Sequence, residues 1–139
     1  MTVRVERLTE LAAPPERVWE FIADPERRAR AISVVASYDI RDDGATWNIE
    51  LPIPIVKRTI EVETEEIERD PPRFVKFVGR SRFLRVVGEH EVEAIDGGSH
   101  VTSRFVVDGK FPGVESYFKK NLDRELANLE RELKEDVLS

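Results

Sequence analysis

The sequence contains no cysteine and only two histidines among its 139 residues. Without cysteine there is no disulfide, no thiol nucleophile and no thiolate metal ligand. The sequence also lacks a glycine-rich nucleotide-binding loop, a histidine-pair metal motif and a serine nucleophile elbow. We therefore expect neither a metal site nor a cofactor.

The chain has no excess of positive charge and no long apolar run. Its formal net charge of −6 disfavours nucleic-acid binding, because affinity for phosphates requires a basic surface. No apolar run approaches the roughly 20 residues of a membrane helix, and the charged start "MTVRVERLTE" does not resemble a signal peptide. We expect one cytoplasmic domain over 1–139, with no nucleic-acid partner and no integral membrane association.

What the sequence does contain is a regular order of strand and helix patterns. Residues 3–11 alternate as a strand, the tandem proline at 14–15 opens a helix, and Asp24-Pro25 opens a second one to about 31. Six further alternating segments are separated by turns rich in Gly, Pro and Asp. A long helix is predicted over about 113–137, with one apolar stripe: Phe118, Leu122, Leu126, Leu129, Leu133 and Val137.

These elements predict an α+β fold in the order β-α-α-β-β-β-β-β-β-α. Alternating strands bury one face of their sheet, and the terminal helix is the only predicted element long enough to cover it. We expect a curved antiparallel sheet of about seven strands wrapped around that helix. A coiled-coil dimer is the alternative explanation of the apolar stripe, but the sheet needs a covering helix of its own.

Three stretches carry a resemblance to a known superfamily: "LAAPPERVWEFIADPERRARAI", "VVGEHEVEAIDGGSHVTSRF" and "FPGVESYFKKNLDRELANLERELK". The chain resembles the START-like (SRPBCC) superfamily, which has the helix-grip fold and includes the polyketide cyclase/dehydrase and lipid transport group. The resemblance implies a cavity between sheet and helix. Many relatives carry a tryptophan shortly after the D-P-x-R pattern, whereas this region holds Ala31, and His90 stands where they carry an aromatic residue.

His90 lies in an alternating row with Leu84, Val86, Gly88, Val92 and Ala94. The alternation predicts that His90 faces inward, provided that Gly88 does not introduce a bulge. Burial would keep its imidazole neutral near pH 7. Two interpretations stay open: a group that orients a ligand or transfers a proton, and a core histidine bonded to a neighbour.

The same alternation, with the helix stripe, predicts a set of inward-facing residues. They are predicted to line a ligand cavity or, in the plainer interpretation, to pack as core. The predicted ligand-binding set is Trp47, Ile49, Arg58, Ile60, Phe77, His90, Ser103, Phe105, Tyr117, Phe118 and Asn121.

Arg58 and Glu125 are the charged candidates. Arg58 shares the alternation of Ile60, and Glu125 lies on the flank of the helix stripe. They can bind a ligand carboxylate or act as acid and base, or both can be solvated. For catalysis, the only proton-transfer pair that the sequence offers is His90 with Tyr117 or Glu125.

Two rows of glutamates, at 61, 63 and 65 and at 89, 91 and 93, also stand out. Residues two apart on a strand are about 6.6–6.8 Å apart, which is too far for one ion. The rows flank the strand that carries Lys76. We therefore expect cross-strand charge pairing on the wet face.

Three classes of function remain. The first is binding or transport of a small hydrophobic molecule such as a lipid, quinone, isoprenoid or polyketide-like compound. The second is an enzyme of the cyclase/dehydrase kind, working without metal. The third is a protein-interaction module resembling the superfamily members that dock on the carbon monoxide dehydrogenase system. A large void favours binding, converging polar groups favour catalysis, and a filled interior favours interaction.

Overall fold

The computed structural model describes residues 2–42, 44–53 and 59–138. The elements are β1 (Thr2–Leu11), α1 (Pro15–Ile22), α2 (Pro25–Ala31), β2 (Val35–Ile40), β3 (Gly44–Ile49), β4 (Ile60–Asp70), β5 (Phe74–Arg80), β6 (Leu84–Ile95), β7 (Gly98–Gly109) and α3 (Pro112–Leu138). The strands form one seven-stranded antiparallel sheet in the order β1-β7-β6-β5-β4-β3-β2. The predicted order of elements and the predicted α+β helix-grip architecture are confirmed.

Both short helices begin at the predicted prolines. Pro15 occupies the first turn of α1, where its missing N–H costs no hydrogen bond. Asp24 caps α2, and its Oδ1 accepts a hydrogen bond from the Glu26 N–H at 2.9 Å. The two helices lie between β1 and β2 in the chain. They pack against α3.

Helix α3 covers the apolar face of the sheet. Its 27 residues span about 40 Å at 1.5 Å per residue. Every residue of the predicted stripe is buried: Phe118, Leu122, Leu126, Leu129, Leu133 and Val137. Since β1, β7, α1 and α2 all pack against α3, the stripe is buried within one chain and does not require the coiled-coil alternative.

Strand β6 alternates as predicted over most of its length. Leu84, Val86, Gly88, His90 and Val92 are buried. The prediction was wrong for the last residue of this row, Ala94, because residues 93–97 are all exposed and the strand extends past the covered area. No bulge occurs around Gly88, since β6 pairs with both neighbouring strands without a register shift.

The two glutamate rows lie on the outer face of the sheet, as predicted. Among the described residues their ion pairs are made by arginines and not by Lys76: Arg41 contacts Glu63 at 2.8 Å, and Arg104 contacts Glu91 at 3.5 Å and Glu89 at 3.9 Å. Such surface pairs contribute about 0–1 kcal/mol each. These contacts account for the rows as surface charge.

Candidate functional site

A small apolar cavity of about 30 Å³ lies between the sheet and α3. Its walls come from the α2–β2 connection, from β3, β6 and β7, and from α3. The lining residues are Ile32, Val34, Trp47, Ile49, Leu84, Val86, Phe105, Val107, Phe118, Leu122 and Glu125. All of them are buried, and Glu125 is the only charged one. A cavity of this size has room for about one water molecule.

Part of the predicted ligand-binding set lines this cavity: Trp47, Ile49, Phe105 and Phe118. Leu84 and Val86 were not in that set, although they belong to the same alternating row as His90. Ile32 and Val34 were also missed. They follow α2 directly, and no periodic pattern marks their orientation.

The remaining predicted residues lie elsewhere. Ile60, Phe77 and His90 are buried without lining the cavity, and Ser103 is half-buried. Tyr117 stacks edge-on against Phe118, with ring centroids 5.2 Å apart. The Asn121 side chain donates to the Tyr117 carbonyl at 2.8 Å. Arg58 falls outside the described residues.

Glu125 has the most consequential position of the charged candidates. Its side chain reaches the α2–β2 connection, where Oε2 accepts from the Ser33 N–H at 2.6 Å and Oε1 accepts from the Ser33 hydroxyl. Glu125 is only 1% exposed, so the solvated alternative is wrong for this residue. The reason is that the α2–β2 connection covers the flank of α3, which a helical periodicity does not reveal.

The Ser33–Glu125 contact lies at the border between solvent and cavity. Ser33 is exposed, whereas Ile32 and Val34 on either side of it line the cavity. The two hydrogen bonds therefore hold this connection against α3. Burial and the negative charge of Glu125 also raise the pKa of Tyr117, two turns earlier on the helix, although Arg124 opposes that shift.

His90 is fully buried, as the alternation predicted. Its Nδ1 lies 2.8 Å from Ser103 Oγ, and its Nε2 has no hydrogen-bond partner within 2–42, 44–53 and 59–138. Burial, aided by the positive charge of Arg28, lowers the pKa of His90 from 6.5 to about 3. The ring packs edge-on against Phe105 at 5.7 Å. These contacts favour the core histidine over a group that reaches the cavity.

A row of aromatic rings separates His90 from the cavity. Phe77 contacts Trp47 at 5.7 Å and Phe105 at 5.8 Å between ring centroids. Gly88 is paired with both phenylalanines across the neighbouring strands. A Cβ at this position would lie 2.5 Å from Phe77 and 3.2 Å from Phe105. The glycine therefore makes room for the rings.

Arg28 is a buried charged residue that the sequence patterns did not indicate. It is 6% exposed and lines a second cleft, beside α2. It lies in the charged run "PERRARA" of α2, which is typical of a solvated helix face. Only the position of α2 over the sheet edge reveals its burial.

Two kinds of feature are absent from the part of the chain that the structure describes. No three His, Asp or Glu side chains are grouped so that they could hold a metal ion. No helix there has the length and apolar character needed to cross a membrane.

Comparison with known proteins agrees with this architecture. The family model described as "Polyketide cyclase / dehydrase and lipid transport" matches residues 2–134. No curated protein matches the chain.

Solved structures with the same fold are more distant in sequence. A conserved protein from Geobacillus kaustophilus superposes with a TM-score of 0.80 at 16% identity, covering 98% of this chain and 95% of its own. A START superfamily protein from Mycobacterium smegmatis superposes with a TM-score of 0.75 at 14% identity, and 96% of each chain is covered. The Zhui aromatase/cyclase from Streptomyces sp. R1128 superposes with a TM-score of 0.69 at 14% identity, covering 99% of this chain and 92% of its own.

Proposed function

Because the chain belongs to the polyketide cyclase/dehydrase and lipid transport family, we propose that it binds a small hydrophobic molecule between its sheet and α3. The supporting observation is the cavity there, whose described lining residues are apolar except for one carboxylate. Apolar walls with few polar groups are the usual form of a small-molecule site. Affinity would come mainly from apolar surface removed from water, at about 25 cal/mol per Å².

The cavity must widen before it holds such a ligand. Its volume of about 30 Å³ is far below the roughly 300–1,000 Å³ of ordinary ligand pockets. The Ser33–Glu125 contact gives this widening a place to begin, since it joins the α2–β2 connection to α3 at the edge of the cavity. Breaking it would let Ile32 and Val34 move away from Leu122. We propose that ligand enters between these two elements.

The disposition of polar groups supports binding over catalysis. Among the residues that the structure describes, Glu125 is the only acid or base that lines the cavity, and both of its oxygens are bound to Ser33. The proton-transfer pairs considered from the sequence do not meet there, because His90 and Tyr117 lie outside the lining. General acid–base catalysis needs groups within hydrogen-bond reach of one reacting point.

The test is native mass spectrometry of freshly purified protein, followed by extraction and a binding panel of fatty acids, quinones and polycyclic aromatics. At a ligand concentration 100 times Kd, binding adds about 2.7 kcal/mol to the free energy of unfolding. For a chain of this size that raises Tm by several degrees. A protein that carries no small molecule and shows no thermal shift with any compound would contradict the proposal.

A pair of variants localises the binding. Val86→Phe places a ring into the cavity, whereas Val87→Phe places one on the opposite face of the same strand, where Val87 is half-buried. We expect at least tenfold weaker binding for Val86→Phe and less than a twofold change for Val87→Phe. Equal affinities in two folded variants would place the ligand elsewhere.

Two other outcomes would favour the alternative functions. Turnover of a polyketide-like compound would support the enzyme, and a stable complex with a protein in place of any ligand would support the interaction module.

A further inference from the structure

A second cleft, of about 140 Å³, lies beside α2 and shares Trp47 with the apolar cavity as a common wall. Its character is different, because charged side chains line it together with the aromatic side chains of Trp47 and Phe77. The lining residues are Pro25, Arg28, Arg41, Asp42, Gly44, Ala45, Trp47, Thr64, Glu66, Arg69 and Phe77. This combination indicates a site for a ligand that is both anionic and aromatic.

Arg28 is the buried charge of this cleft. Its Nη1 donates to the Ile22 carbonyl at 2.9 Å, and its Nη2 donates to Glu66 at 3.1 Å. Its Nε, however, is buried and has no hydrogen-bond partner among the described residues. A buried donor without an acceptor pays its desolvation penalty without compensation, and this penalty is larger when the donor is charged. Because Nε is covered by its neighbours, the Arg28 side chain must shift before a ligand oxygen can accept from it, and the new bond would then recover that penalty.

The negative charge beside Arg28 is shared. Glu66 also accepts two hydrogen bonds from Arg69, at 2.9 and 2.5 Å, so one carboxylate serves two guanidinium groups. Burial alone would raise the pKa of Glu66, but the hydrogen bonds from Arg69 and Arg28 lower it overall, which keeps the carboxylate ionised. Arg41 pairs with Glu63 outside the cleft, and the exposed Asp42 adds one negative charge to its lining.

The aromatic side of the cleft is formed by Trp47 and Phe77. The Arg28 guanidinium carbon lies 5.3 Å from the centre of the Phe77 ring, within the range of a cation–π contact. The volume is below that of a pocket for a drug-sized ligand. It suits a compound with one ring better than a lipid.

We propose that this cleft binds the carboxylate of a small aromatic acid. The Arg28 Nε–H donates to a carboxylate oxygen, and the ring of the acid packs against Trp47 and Phe77. The site is independent of the proposed hydrophobic ligand, since it does not need the apolar cavity to widen. Charge-assisted hydrogen bonds of this kind are roughly twice as strong as neutral ones.

The first experiment compares benzoate with benzamide, its neutral counterpart, by calorimetric titration of the whole chain at low and moderate salt. We expect benzoate to bind at least tenfold more tightly than benzamide, because only benzoate carries a negative charge that the Arg28 guanidinium attracts, whereas the amide oxygen of benzamide is a neutral acceptor. Equal binding of the two compounds, or no binding of benzoate up to its solubility limit, would overturn the proposal.

Three variants assign the binding to the cleft. Arg28→Met should lower benzoate affinity at least tenfold, while Arg85→Met, which removes an exposed arginine elsewhere, should change it less than twofold. Asp42→Asn removes an exposed negative charge from the lining, so we expect about twofold to fivefold tighter benzoate binding with benzamide unchanged.

Arg28 is buried, and its replacement can unfold the chain. The Asp42→Asn result therefore decides the matter when Arg28→Met does not fold. An unchanged benzoate affinity in Asp42→Asn, or full affinity in a folded Arg28→Met, would contradict the assignment. If no hydrophobic ligand bound in the apolar cavity, the benzoate affinities of these variants would still test the cleft. The two proposals can therefore be refuted independently of each other.

Discussion

Acid should destabilise this protein in part through the buried imidazole of His90. The imidazole is fully buried, and burial together with the charge of Arg28 lowers its pKa from 6.5 to about 3. The unfolded chain therefore binds a proton at His90 below pH 6.5, whereas the folded chain does so only near pH 3. The folded state loses stability between these two values, as pH falls.

The magnitude follows from the shift. Each pH unit below 6.5 costs about 1.4 kcal/mol, so His90 should remove about 2 kcal/mol of stability between pH 7 and pH 5. The assay is urea unfolding of wild type and His90→Phe at pH 7, 6 and 5. Carboxylates titrate in both proteins and cancel in the difference. The difference in free energy of unfolding between the two should thus move by about 2 kcal/mol in favour of the variant at pH 5.

His90→Leu serves as a second variant if the larger ring does not fit. Parallel stability curves for wild type and both His90 variants would refute the reasoning. They would mean that His90 accepts a proton in the folded state, and an imidazole that titrates near neutral pH would return as a candidate base.

Two further predictions concern the packing around the sites. Gly88→Ala should lower the free energy of unfolding by about 1–3 kcal/mol, since its Cβ would lie 2.5 Å from Phe77. Urea unfolding of the double variant Gly88→Ala/Phe77→Leu should show that part of this loss is recovered, because the smaller side chain makes room for the Cβ. Glu125→Gln should cost about 1–3 kcal/mol by weakening the bonds to Ser33, while Glu132→Gln on the exposed side of α3 should change stability by less than about 0.5 kcal/mol. If the losses in free energy of unfolding of Gly88→Ala and Phe77→Leu added fully in the double variant, the expected clash between Gly88 and Phe77 would be refuted. Equal losses for Glu125→Gln and Glu132→Gln would refute the stabilising role of the Ser33–Glu125 contact.

The fold could be predicted because its signals are local and repeat. Pro15 and Asp24 mark helix starts through backbone chemistry that acts within one turn. Alternation predicted the orientation of His90 because successive side chains of a strand point to opposite faces. The same rule failed at Ala94, because β6 extends past the helices that cover it and the inward-facing side of the strand is exposed there.

The candidate sites could be predicted only in part, because each depends on which elements meet. Glu125 is buried by Ser33, which lies 92 positions away in the chain. Arg28 is buried by packing over Phe77 and Glu66, although its own helix has the composition of a solvated one. Sequence periodicity describes one element at a time, so it does not reveal contacts of this kind.

The central claim, a hydrophobic ligand between the sheet and α3, is tested most directly by methyl NMR during titration with the compound that gives the largest thermal shift. We predict saturable shifts of the methyl groups of Ile49, Val86 and Leu122, which line the cavity, while the outward-facing Val87 methyls stay in place. Shifts confined to surface methyl groups such as those of Val87, or no saturable shift of the lining residues, would contradict the claim.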